Sequence, residues 1–226
     1  MNIIPLFSTV VTVFFTIAVF RRYRMKGGLH LLYWSIGLLL YAFGTLSEVI
    51  LGFVFNEFML KLWYLSGAML TAAWLGQGSI QLLFRKARWS TYLAYALGVV
   101  SLLALFLVMT APLTGTQASY NTAGTISEQY KTILTRAGMM IFLTIILNIY
   151  GTIGLVGGAG YSAYLFWRKQ VLAGRMFGNI LIALGALAPA FAGTLVKAGM
   201  LDALYVSELL GAILMFAGFI LATSGK

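Results

Sequence analysis

Seven long stretches of this chain carry almost no charge, near residues 2–20, 29–54, 58–84, 90–112, 138–167, 175–199 and 202–224. About 20 apolar residues in a helix cross the roughly 30 Å hydrocarbon layer of a bilayer, and each stretch is close to that length. In lipid the backbone must satisfy its own hydrogen bonds, which leaves helices or a closed barrel. The runs show no period-two alternation, so a barrel is excluded. The sequence therefore predicts an all-α membrane protein, a seven-transmembrane helix bundle forming one domain over residues 1–226.

Composition agrees. Only 9% of residues are charged and mean hydropathy is +0.95, whereas a soluble domain is roughly a quarter charged. Such a chain cannot cover a water-facing surface. It has no cysteine and one histidine, His30, so disulfides, thiolate metal sites and most acid–base chemistry are out of reach. No metal site, cofactor or enzyme activity is expected. The "GYSA" at Gly160–Ala163 has no usable histidine beside it. The run "GTIGLVGGAG", Gly151 to Gly160, is not a phosphate loop, because no Lys-Ser/Thr follows it. Gly154 and Gly158 instead suit close helix–helix approach.

The net charge of +10 is placed by the membrane. Arg21, Arg22, Arg24 and Lys26 follow the first span. Arg85, Lys86 and Arg88 follow the third, Arg168, Lys169 and Arg175 separate the fifth and sixth, and Lys226 comes last. All fall on one side of a seven-span layout. Lys61, Lys131, Arg136 and Lys197 fall on the other, as do Glu48, Glu57, Glu128, Asp202 and Glu208. The positive-inside rule then puts the N-terminus outside and the C-terminus in the cytoplasm. Clusters of three or four basic residues fit anionic headgroups, and no nucleic-acid partner is expected. The first span lacks a basic n-region and reads as a retained helix rather than a cleaved signal peptide. The chain has no N-x-[ST] sequon, which is compatible with a prokaryotic cell membrane.

Polar residues inside the spans are the candidates for function. An ionised side chain deep in lipid is costly, so it faces the bundle interior or an interface. Glu48 on the second span and Glu208 on the seventh both lie about 9 Å below the outer boundary at 1.5 Å rise per residue. Lys61 and Lys197 are near enough in the topology for Glu48–Lys61 and Glu208–Lys197 pairs. The four residues read either as two satisfied ion pairs or as the lining of an outward-opening polar pocket. Asn148 sits mid-span. Gln77 and Gln81 share a face of the third span, at i and i+4. They read either as interhelical hydrogen bonds or as a polar path down from the two acids. Trp74, inside the third span, is a candidate pocket residue. Trp34, Trp63, Tyr64, Trp89 and Trp167 read as interfacial anchors, and His30 as a headgroup contact. Gly185, Pro189 and Gly193 share a face of the sixth span, where Pro189 is expected to kink the helix. The loop 113–137 is long enough to lid an outer cavity, and Ser127 to Arg136 reads as a short helix leading into the fifth span.

The outside-N, seven-span layout is also that of several known families. A retinal pigment needs a lysine in the seventh helix, and 202–224 has none. The D-R-Y and N-P-x-x-Y motifs of G-protein-coupled receptors are absent, as is the Pro-Gln motif of the three-plus-one-plus-three sugar transporters. The block "LLYWSIGLLLYAFGTLSEVI…LKLWYLSGAMLTAAWLGQGSIQLLFRK" resembles the seven-helix membrane sensor region of bacterial histidine kinases. There too an acid ends the second helix, and a Lys-to-Tyr entry with a later Trp marks the third. Glu48, Lys61, Tyr64 and Trp74 stand in those places, with Lys61 and Tyr64 closer together than in the family's K-x-x-x-Y spacing. No kinase or cyclase domain follows within the 226 residues, so the resemblance implies a separate signalling partner. The sequence reading is thus an integral membrane, receptor-like or sensory binding module for a small or lipidic ligand, with a membrane or cytoplasmic protein partner. The alternatives are a small proton- or cation-coupled transporter, or a non-catalytic subunit of a larger membrane complex.

Overall fold

The computed structural model describes residues 3–114, 120–122, 124–169, 173–197 and 203–224. These form α1 (Ile4–Lys26), α2 (Leu29–Leu51), α3 (Glu57–Trp63), π1 (Tyr64–Leu70), α4 (Thr71–Leu83), α5 (Arg88–Thr110), α6 (Ile126–Ile133), α7 (Gly138–Thr152), π2 (Ile153–Gly157), α8 (Gly158–Lys169), α9 (Ala173–Lys197) and α10 (Ala203–Ser224). Among the described residues the sole β feature is an isolated bridge between Leu113 and Leu134.

Six helical segments are long and apolar enough to cross a membrane: Ile4–Lys26, Leu29–Leu51, Glu57–Leu83, Arg88–Thr110, Gly138–Arg168 and Ala203–Ser224. α9 runs 25 residues and stays helical through Pro189, with a shorter apolar stretch at Gly174–Pro189. The first span extends beyond the predicted 2–20: Arg21–Lys26 remain helical, where basic side chains suit the C-terminal end of the dipole. The turn to α2 is made by Gly27 and Gly28 at φ 67° and 99°, conformations that only glycine adopts without cost. Asn56 starts α3 by accepting the Met59 amide at 3.0 Å. The outer-loop helix begins with a capping box between Thr125 and Glu128, which satisfies two otherwise unpaired amides. That helix ends at Ile133, and extended residues separate it from α7, so the predicted run into the fifth span is interrupted.

Six helical segments close into a ring in the order α1, α2, α3–α4, α7–α8, α9, α10, and back to α1. α5 stands outside this ring, packed on α4, π1 and α7, with Val99, Leu102 and Phe106 exposed. Small residues set the ring's spacing. A Cβ on Gly151 would sit 2.2 Å from the Ala72 carbonyl carbon, and one on Gly154 would sit 2.9 Å from the Gly76 oxygen. Gly158 is as close to Ser79. The expected packing role of Gly154 and Gly158 is therefore met by α4. On the far side of the ring Gly185 and Gly211 meet face to face, each with the other's oxygen 2.7 Å from its hypothetical Cβ. Gly193's surroundings lie outside the described residues.

Candidate functional site

Between these helices, towards the end that carries the acids, lies a cavity of about 420 Å³. The helical periodicity that builds it is plain on each wall. Tyr41, Gly44, Thr45 and Glu48 form one stripe of α2, and Trp63, Gly67 and Thr71 one stripe of the third span, as the i, i+3, i+4 rule requires. Asn148, Thr152 and Leu155 face it from the fifth span, Pro189 from α9 and Glu208 from α10. Gly44 lies against Gly67, with its hypothetical Cβ 3.0 Å from the Gly67 Cα, which draws α2 and π1 together beside the cavity.

Glu48 is 4% exposed. Its Oε1 accepts the indole N–H of Trp63 at 2.8 Å, while its Oε2 has no hydrogen-bond partner. Glu208 faces Glu48 closely enough for their carboxyls to interact directly, and its Oε2 is also without a partner. Its backbone oxygen accepts the Tyr41 hydroxyl at 2.8 Å, which ties α10 to α2. Among the described residues the single salt bridge is elsewhere, between Lys61 Nζ and Glu57 Oε1 at 2.7 Å.

This overturns the expected Glu48–Lys61 pair. Lys61 is turned from the cavity, donating to Glu57 and to the Met109 carbonyl at 3.1 Å. A pair four residues apart on one helix needs no tertiary register, so Glu57 captures it. The Lys197 side chain lies outside the described residues, and with it the Glu208–Lys197 expectation. Trp74 does not reach the cavity. Its indole donates to Ser101 Oγ at 3.2 Å and its ring packs on Tyr33 at 5.8 Å. Gln77 and Gln81 face away as well. Gln77 donates to the Ser90 carbonyl at 2.8 Å and accepts the Tyr150 hydroxyl, joining three spans. Gln77 thus makes the interhelical hydrogen bond, whereas Gln81 is buried with its Oε1 unpartnered; neither extends a polar path from the cavity.

Asn148 does line the cavity. Its amide donates to the Ala68 carbonyl at 2.7 Å and to Thr144 O at 2.8 Å. Ala68 sits in π1, and Asn148 gives its carbonyl a side-chain donor. The Ser66 carbonyl accepts the Thr71 backbone N–H and, at 2.8 Å, the Thr71 hydroxyl as well. The π segment thereby gains side-chain partners at the cavity wall.

The loop helix α6 covers the mouth through Ser127, Tyr130 and Lys131. Ile126 and Ile133 anchor it in the core, and the Tyr130 ring packs at a tilt 5.3 Å from Trp63 and 5.7 Å from Tyr64. Arg136 lies 5.0 Å and Lys131 Nζ 5.9 Å from the same ring, within cation–π range. Burial raises the Tyr130 phenol above its usual range against the opposing effect of Arg136. Tyr120, packed on Phe55 at 5.1 Å, is pushed up to about 12, first by burial and second by Glu48. The floor is apolar. Leu75, Leu155 and Met215 line both the cavity and the void of about 30 Å³ below it, where they join Phe15, Leu38 and Phe219.

The sequence reading did not place two of the cavity's aromatic residues, Trp63 and Tyr41, at the site. Trp63 and Tyr64, read as interfacial anchors, are 7% and 1% exposed, while Trp89 and Trp167 are exposed as anchors are. Tyr41 drew no attention, yet it lies seven residues before Glu48, two turns along one face; that spacing was the available signal. Comparison of the chain with models of known protein families, with curated proteins and with solved structures gives no match.

Proposed function

We propose that the chain is a seven-span protein of a prokaryotic cell membrane, N-terminus outside. On this reading it acts as a receptor-like sensory module whose cavity takes a small ligand from the outer side. One observation carries it: a cavity of about 420 Å³, within the usual size of small-molecule sites, has an acid-lined upper half, a helical lid and an apolar floor. The six long apolar segments are brought to seven by α9, the sixth in chain order, whose 25 residues measure about 37 Å at 1.5 Å each. The basic clusters support the orientation, and the likeness of the second and third spans to histidine-kinase sensor regions supports the sensory role. Ligand binding would shift α10 against α2 through the Tyr41–Glu208 contact and pass that shift to a protein partner at the basic end.

The floor separates this reading from a transporter, which must open to both faces. In a cysteine-free chain, Ala68→Cys places one thiol in the cavity wall. In sealed vesicles a membrane-impermeant thiol reagent is expected to label it from the outer face only. Labelling from both faces would favour the proton- or cation-coupled transporter.

A further inference from the structure

We propose that the cavity is selective for an organic ammonium ion, held by Glu48 and Glu208. This rests on the outward-open binding cavity proposed above and names the chemistry it selects.

Two buried carboxyls facing one another without a cation are an expensive arrangement. Helix packing alone does not demand it: glutamine would fill the same space with donors of its own. Glu48 is 4% exposed, lines the cavity and leaves Oε2 without a partner. The Trp63 indole occupies Oε1, which fixes the carboxyl's orientation and leaves the other oxygen for a donor. Glu208 presents a second unpartnered oxygen beside it. A ligand carrying N–H donors and positive charge supplies both missing interactions.

The same walls argue for an organic cation over a metal ion. Calcium takes six to eight oxygens and magnesium a near-octahedral set, and no group of three or more acidic, histidine or cysteine side chains exists among the described residues. The cavity is many times an ion's volume. Trp63 and Tyr41 supply aromatic surface, which attracts ammonium groups. The lining cation, Lys131, is on the lid with its Nζ 5.9 Å from the Tyr130 ring, and it forms no salt bridge with either acid.

Paired thiol reagents on the detergent-solubilised full chain test this. With Ala68→Cys, and in parallel Thr71→Cys, the rate for the methanethiosulfonate carrying trimethylammonium is compared with that of its sulfonate analogue. Each rate is normalised to a free thiol in solution. The expected result is a cationic preference of about tenfold or more, as an acid-lined cleft concentrates counter-ions. Glu48→Gln or Glu208→Gln should reduce it several-fold. Benzylammonium should slow labelling, and neutral benzyl alcohol should not. That comparison leaves the acids in place, so it decides the matter even if the glutamine variants fail to fold. Labelling by both reagents at the solution ratio, or equal protection by benzyl alcohol, would overturn the ammonium assignment while leaving the cavity. Failure of both reagents at both positions would overturn the cavity and the assignment together.

Discussion

At the level of single residues, the Trp63 indole is the sole described donor to Glu48. Removing it leaves a buried acceptor unsatisfied, which costs about 1–3 kcal/mol. Trp63→Phe keeps most of the ring packing on Tyr130, so a lowered thermal midpoint in detergent isolates the hydrogen bond. An unchanged midpoint would mean that the bond contributes nothing. The loop tyrosines give a pH signature. Tyr120 titrates near 10.0 when unfolded and at about 12 when folded. Between those values the unfolded chain has lost a proton that the folded chain keeps, so stability falls as pH rises. It is fully present below pH 10. Tyr120→Phe should flatten this loss, measured by unfolding across that window with phenolate absorbance as the monitor. Little of this was legible beforehand. Glu48, Glu208 and Asn148 stood out because charge and amide are rare in an apolar run. Trp63 and Tyr41 did not, since aromatic residues are common everywhere in such spans.

At the level of elements, the third and fifth spans interlock through close backbone approach as well as through side-chain hydrogen bonds. Gly151→Ala would drive a methyl to 2.2 Å from the Ala72 carbonyl carbon. Such overpacking typically costs about 1–3 kcal/mol. Gly157→Ala, with nothing within 4 Å of its Cβ, should be neutral or slightly stabilising, since helical alanine is favoured over glycine by up to about 1 kcal/mol. Thermal unfolding of the two variants side by side checks this; equal midpoints would refute the interlock. The glycine spacing revealed that a close approach exists, but not which neighbour receives it. Neither π segment was foreseen. A widened turn follows from its surroundings, here with Asn148 and Thr71 side chains donating to carbonyls of π1, and no local residue pattern announces it.

For the whole molecule, the ring of six helical segments with α5 outside it explains why the site can exist. Closing α10 on α1 and α2 brings residue 208 beside residue 48. The proposed orientation has its own test. A single cysteine from Phe53→Cys, in the short turn between α2 and α3, should be labelled by an impermeant maleimide on right-side-out vesicles. One from Lys86→Cys should be labelled only after lysis, and the reverse pattern would invert the topology. The apolar runs and the uneven spread of charge determine by themselves that the chain is helical and suited to lipid, because hydrocarbon tolerates no other backbone and few ions. They also indicate at which end the acids gather. Which acid meets which partner was decided only in three dimensions. The face of each helix turned inward depends on the glycine contacts and on ring closure, and those bring together residues 160 positions apart that no local pattern relates.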